Sequence, residues 1–243
     1  MRQRWSRAEP PELVVHDAPS ECAYLDGQLA TLPMRLPARA LSPTELDARL
    51  AAGDRRHGPF LYRPTCEACR ACEAIRIPVA ELTSKRAHRR ILKRGDGILR
   101  AELGRPIVDA ARLALYEKHK VERDLAIDST TRLDARAYQA FLVDTCAHSY
   151  ELRLFDGTHL VAVSIFDRGA TAMSAVYCLW DPDYADLSVG TYAVLKQVEL
   201  CRAWGITHLY LGLYVANNAH MSYKARFLPN ERLIDGVWTR FDR

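Results

Sequence analysis

The sequence predicts an α/β (α+β) protein in two parts: a smaller, cysteine-containing domain over residues 15–95 and a larger domain over 98–240. Three observations carry that prediction. Residues 150–155, 160–166 and 172–180 are apolar runs of strand length, joined by Asp156-Gly157 and Arg168-Gly169, the punctuation of an antiparallel meander. The apolar period then lengthens to a helix, with Val194, Val198 and Cys201 at i, i+4 and i+7, while Lys196, Gln197 and Glu199 point elsewhere. Residues 208–214 return to a period of two, with Leu209, Leu211 and Leu213 on one face and His208, Tyr210 and Tyr214 on the other.

Taken in order, residues 1–15 read as a loose leader with two prolines. Tyr24 precedes an Asp26-Gly27 turn. Ser42-Pro43-Thr44-Glu45 opens a helix, with Ser42 as cap, Pro43 in the first position and Glu45 completing a capping box. Gly53 ends it. Residues 60–62 and 75–79 are short strands, and between them Cys66, Cys69 and Cys72 form C-x-x-C-x-x-C. That spacing lets neighbouring sulfurs share one metal, zinc or an iron–sulfur cluster. Arg76 stands where a ferredoxin-type fourth cysteine would be, so Cys22 is the candidate fourth ligand. Cys146, Cys178 and Cys201 fall in apolar patterns and read as small core residues.

Residues 85–94 carry six cations and no acid: Lys85, Arg86, Arg89, Arg90, Lys93 and Arg94. A run of one sign is costly on a helix, where like charges one turn apart repel, and it suits contact with an RNA backbone. Glycines 95, 97 and 104 bracket a short strand and the domain boundary. Helices follow over 109–119 and 134–148, with His119 and Arg123 near a polar stretch between them.

Composition narrows the function classes. A net charge of +4 is too mild to argue for nucleic acid by itself, so the local basic run must carry that argument. Seven cysteines, no secretory apolar region and no apolar run long enough to span a bilayer predict a reduced, cytoplasmic setting and no membrane partner.

The order of antiparallel strands, loop, helix, strand and short helix resembles acyltransferases of the GNAT type. Their coenzyme A turn, Q/R-x-x-G-x-G/A, is poorly matched by residues 186–191, which hold one glycine and an acid, so no coenzyme A is expected. SAVYCLWDPDYADLSVGTY, HLYLGLYV, MSYKARFLPNE, CAYLDGQLATLPMRL and GDRRHGPFLYRPTCEACRACEAIRIPV together resemble the arginyltransferase family, and within it the bacterial branch of the N-end rule pathway that handles leucine. That resemblance implies transfer of leucine from leucyl-tRNA to proteins beginning with Asp or Glu. The alternatives are arginyl transfer, or a non-catalytic RNA-binding or redox-sensing cysteine module.

An aminoacyl ester is already activated, so such an enzyme needs positioning, oxyanion donors and a weak base. Tyr177, Asp181, Tyr210, Tyr223 and Lys224 are the catalytic candidates. An acidic N-terminus calls for a fixed cation, and Arg76, Lys224 and Arg226 are the candidates. A leucyl pocket is expected on the sheet face carrying Tyr210 and Tyr214.

Overall fold

The computed structural model describes residues 4–125 and 134–243. The chain runs β1 (Arg4–Trp5), β2 (Glu12–His16), β3 (Ser20–Glu21), β4 (Leu29–Ala30), β5 (Met34–Pro37), α1 (Pro43–Ala51), β6 (Arg55–His57), β7 (Phe60–Tyr62) and β8 (Glu73–Pro78). It continues through α2 (Arg86–Asp96), β9 (Arg100–Gly104), α3 (Ala110–Glu122), α4 (Ala135–Tyr138), β10 (Ser149–Asp156), β11 (His159–Arg168) and β12 (Ala172–Trp180). After α5 (Val189–Ala203) come β13 (His208–Tyr214), α6 (Ala219–Ser222), β14 (Asn230–Ile234) and β15 (Val237–Phe241).

Eight strands form the main sheet in the order β15-β14-β8-β13-β12-β11-β10-β9. Its neighbours pair antiparallel except β12 and β13, which the crossover through α5 makes parallel. The expected meander is therefore present. β11 is buried from Leu160 to Asp167, as a strand covered on both faces must be. On one side Val161, Phe166 and Met173 pack with Val189, Val198 and Cys201 of α5, an α-helix buried on most of its circumference. Leu160, Val163 and Ile165 pack with Leu115 and Tyr116 of α3 and with Tyr138 and Leu142. The result is a three-layer arrangement.

The smaller sheet, β1-β2-β5-β7-β6, is bolted onto this body. The Asp47 carboxylate of α1 accepts from the backbone N–H groups of Thr171 and Ala172 at the start of β12, at 2.7 and 3.1 Å. Arg56 Nε donates to Asp167 across the two sheets at 2.7 Å, with both side chains buried. Such a pair is expensive to break from one side, because the remaining charge is stranded.

Three expectations change. Residues 12–16 are a strand and not a loose leader, because Glu12 is fully buried and ion-paired to Arg35 and Arg49. The break expected between 95 and 98 does not separate the sheets: β8 lies inside the main sheet between β13 and β14, and α2 packs on α5. The alternation along β13 is interrupted at Leu211, since Tyr210 pairs with Arg76 but Gly212 pairs with Ile75. That bulge puts Tyr210 in the cluster around Leu46 and Leu50 and Tyr214 against the main core, so the two do not share a pocket.

Candidate active site

The parallel pairing of β12 with β13 covers only three positions, from Ala172↔His208 to Ser174↔Tyr210. Beyond them the strands diverge, and the fork opens into a cleft of about 670 Å³. β12 forms one wall. A bulge there leaves Val176 as an extra residue, because Ile165 pairs with Tyr177 and Phe166 with Ala175. The first turn of α5 closes the cleft with Val189, Gly190 and Thr191. Its cap, Ser188, sits in the left-handed region at φ 54° and makes no side-chain cap bond, so the first N–H groups of the α-helix lack that partner. A Cβ on Gly190 would come no nearer than 3.6 Å to Trp180, so this glycine is not forced by crowding.

α6 and the 3-10 turn Tyr223–Arg226 bring Tyr223 and Lys224 to the far side. Asn218 fixes this segment by accepting from His220 N–H and donating to the Tyr24 carbonyl at 3.1 Å. Lys224 Nζ donates to the Leu213 carbonyl at 2.6 Å. Burial first, and then Arg55, push this ammonium down to about 7. Burial pushes Tyr177 up and Tyr223 up to about 12, so both hydroxyls stay protonated donors. Burial likewise raises the Cys178 thiol to about 11, which makes it a poor nucleophile.

α3 supplies His119, Lys120 and Arg123. His119 Nδ1 lies 2.9 Å from the Trp180 carbonyl and 3.0 Å from its N–H, and burial pushes the ring down to about 4, so it is neutral. Lys120 Nζ stands 5.3 Å from the Tyr177 ring, and Arg123 lies over Trp180 at 4.6 Å. Among the described residues, Arg55, Arg56, Lys120, Arg123 and Lys224 line the cleft and no carboxylate does. Of these, only Arg56 has an acidic partner among the described residues, Asp167.

Of the residues named from sequence, Tyr177, Tyr223 and Lys224 meet in this cleft. Asp181 lies at the outer end of β12 and does not line it. Burial opposes its ionisation, but Lys118, the Asp183 N–H and His159 outweigh that and hold its carboxyl low. Tyr210 and Arg76 are engaged with each other elsewhere: Arg76 donates to the Tyr210 hydroxyl at 2.8 Å, binds Glu231 at 2.6 Å and stacks on Trp238 at 4.1 Å. Arg226 is exposed outside the cleft. Lys85, Arg86, Arg89, Arg90, Lys93 and Arg94 are exposed on or beside α2, whose buried positions His88 and Gly95 face inward. Gly95 touches Tyr192 of α5, which ties the basic α-helix to the one that heads the cleft. None of the six forms an ion pair among the described residues.

The four candidate cysteines lie in one neighbourhood, near enough for Cys22, Cys66 and Cys69 to act on the Cys72 thiol. Cys66 accepts from Thr31 N–H at 3.4 Å, beside the hairpin that carries Cys22. Burial, then Cys22, Cys66 and Cys69, raise Cys72 to about 12. Four thiols are the soft donor set that zinc or an iron–sulfur cluster takes. As placed they do not fit one: among the described residues no three or more His, Cys, Asp or Glu stand in a group that could hold an ion. The cysteines therefore enter no step below.

Several cleft residues are not among the site candidates read from the sequence. His119 and Lys120 are helical residues with no motif around them. Gln197, assigned to the outer face of α5, is fully buried, donates to Ser164 Oγ at 2.8 Å and leaves its Oε1 without a donor. Arg55 sits in a run, GDRRHG, that reads as a polar turn. Its signal lies elsewhere in the chain, in Gly212, since an isolated glycine within a strand marks a close approach.

Two family profiles match: "Arginine-tRNA-protein transferase, N terminus" over residues 20–90 and "Arginine-tRNA-protein transferase, C terminus" over 111–234. The chain is 33% identical over 226 residues to the aspartate/glutamate leucyltransferase of Acinetobacter baumannii, covering 93% of this chain and 83% of that one. It is 36% identical over 224 residues to that of Chromobacterium violaceum, covering 91% and 90%. Among solved structures it is similar to L-PGS from Bacillus licheniformis, with a TM-score of 0.49 and 12% identity over 71% of this chain and 59% of that one. A second is the C-terminal domain of a lysylphosphatidylglycerol synthetase from Agrobacterium fabrum, with a TM-score of 0.48 and 12% identity over 73% and 54%.

Proposed function

The chain belongs to the arginine-tRNA-protein transferase family, and on that premise we propose that it moves leucine from leucyl-tRNA to the amino group of proteins beginning with Asp or Glu. In the N-end rule pathway such transfer marks the acceptor for degradation. The observation that carries this reading is the cationic cleft at the β12–β13 fork, where Arg55, Lys120, Arg123 and Lys224 have no acidic partner among the described residues. Both substrates present anions to it, the tRNA through its phosphates and the acceptor through its first side chain. No helix of the described residues is long and apolar enough to cross a membrane.

The same cations favour leucine over arginine as the transferred residue. An arginyl side chain would need a carboxylate and would meet like charges instead. Ala175, Val194 and Leu211 offer an apolar floor for a leucyl side chain.

In the reaction the acceptor nitrogen attacks the ester carbonyl, the N–C bond forms, and the ester C–O bond breaks to leave the ribose hydroxyl. An α-amino group near pKa ~7.7–8 is partly neutral at cell pH. Lys224, poised near 7, takes the proton the attacking nitrogen sheds. The free N–H groups of the first turn of α5 and the bulged backbone at Val176 meet the oxyanion. A hydroxyl of Tyr177 or Tyr223 donates to the departing oxygen, and Gln197 Oε1 accepts from an amino group in the cleft. Positioning of this kind accounts for several kcal/mol, up to about 7–11. The cations of α2 hold the tRNA backbone without reading its sequence.

The test is transfer of labelled leucine from leucyl-tRNA to peptides beginning with Asp, Glu, Asn or Ala. Product is expected on the acidic pair, and its absence there sinks the reading. Efficient transfer from arginyl-tRNA would reassign the donor.

A further inference from the structure

Within that function, we propose that the guanidinium of Arg55 is the receptor for the acidic side chain of the acceptor's first residue. The proposal rests on the transferase reading and adds a specificity-determining residue to it.

Arg55 ends the turn after α1 and points from β6 into the fork. Its Nη2 reaches the Ala175 carbonyl of β12 at 3.5 Å, while Nε and Nη1 are buried and have no partner. Its neighbour Arg56 carries a carboxylate at 2.7 Å, as do the half-buried Arg35 and the buried Arg112 their own acids. Buried donors left unmade are costly, and a charged group most of all, so two on one side chain call for an absent acceptor.

The backbone is shaped around this side chain. A Cβ on Gly212 would fall 1.7 Å from Arg55 Nη1, and the residue stands at φ +86°, directly after the Leu211 bulge. The guanidinium thus occupies the gap left where β13 swings away from β12. Tyr24, Tyr223 and Lys224 feel its charge, so the groups proposed for chemistry stand beside it.

A carboxylate brings two acceptor oxygens and a full negative charge, the complement of free guanidinium donors. On a side chain of one or two methylenes it can reach through the cleft to the guanidinium. A diester phosphate, flanked by two sugars, fits the more open cations of α3 better. An amide in place of the carboxylate would leave the cation uncompensated, which separates Asp from Asn and Glu from Gln.

The experiment compares wild type, Arg55→Gln and Arg55→Lys at saturating leucyl-tRNA on peptides beginning with Asp, Glu, Asn and Gln. Arg55→Gln is expected to raise KM for the acidic peptides about 10–100-fold, to reduce the acid-over-amide preference to a few-fold and to leave the Kd for leucyl-tRNA nearly unchanged. Arg55→Lys should restore part of the preference. Retention of the wild-type preference in Arg55→Gln overturns the proposal, as does a rise in tRNA Kd with peptide KM unaltered, which would assign Arg55 to phosphate. If wild type itself transfers nothing to acidic peptides, the transferase reading falls and this one with it. Should both variants misfold, the wild-type protein decides: phenylglyoxal labelling of Arg55, mapped by mass spectrometry, should be blocked by Asp-Ala and not by Asn-Ala. Equal labelling overturns the proposal.

Discussion

Lys224 is the residue on which the chemistry turns, because it is nearly sealed from solvent and meets a carbonyl and a thioether, with no acid beside it among the described residues. Its folded pKa, about 7, lies below the ordinary 10.5. Between those values the unfolded chain binds a proton that the folded chain does not. Stability contributed by this group therefore rises with pH from about 7 to about 10.5, by at most ~1.4 kcal/mol per pH unit, and is flat outside that window. Lys224→Met should flatten that slope in denaturant titrations, while kcat falls about 10²–10⁴-fold and peptide KM changes little. The pH–rate profile should lose the limb near 7 and keep one set by the acceptor's amino group. Lys224, Tyr177 and Tyr223 could be picked from sequence because aromatic hydroxyls and a lysine crowd two short motifs. Arg55 could not, because adjacent arginines in a polar turn look alike. One is spent on Asp167 and the other faces the cleft, a difference set by partners more than 100 positions away.

At the scale of elements, β13 and α2 make separable predictions. Gly212→Ala places a methyl on the Arg55 guanidinium at a φ that disfavours side chains. It should reproduce the loss of acid preference of an Arg55 variant and lower stability by roughly 1–3 kcal/mol, read by peptide KM ratios and thermal unfolding. Replacing Arg89, Arg90 and Lys93 with alanine should weaken leucyl-tRNA binding for any tRNA sequence. It should reduce the slope of log K against log salt by about 0.7–0.9 for each phosphate no longer neutralised, measured by filter binding across salt concentrations. α1 was fully legible because its capping box is local: Ser42 Oγ accepts from Glu45 N–H and Glu45 accepts from Ser42 N–H at 2.7 Å. β2 was not, because the acid that looks like solvent exposure, Glu12, is buried by two arginines that come later in the chain. The place of β8 in the sheet was hidden for a related reason. Period-two patterning marks a strand, but strand order is decided by long-range pairing with β13 and β14.

For the whole molecule, the meander, the helix after it and the strand that follows could be read directly, since each rests on a pattern within its own stretch of sequence. The fork between β12 and β13 could not, because it is an absence of pairing. Two bulges, at Val176 and Leu211, create its walls. The cleft so formed gathers cations from the N-terminal sheet, α3 and the turn after α6, and its apolar floor is small. Leucyl-tRNA is accordingly expected to exceed arginyl-tRNA in kcat/KM by about 100-fold or more, the scale of placing a charge without a partner. Competition between the two charged tRNAs for one labelled acceptor would give that ratio.

The most direct test of the cleft as the site of transfer is where a leucyl-tRNA bearing a non-hydrolysable amide link and a photoreactive 3′ adenosine cross-links to the protein. Adducts should map to residues 188–191 and to Lys120 and Lys224, and an Asp-initial peptide should shift their yield. A second groove lies on the other side of β13, lined by Arg63, Thr65, Cys66, Cys69 and Cys72, and adducts confined to it would contradict the account.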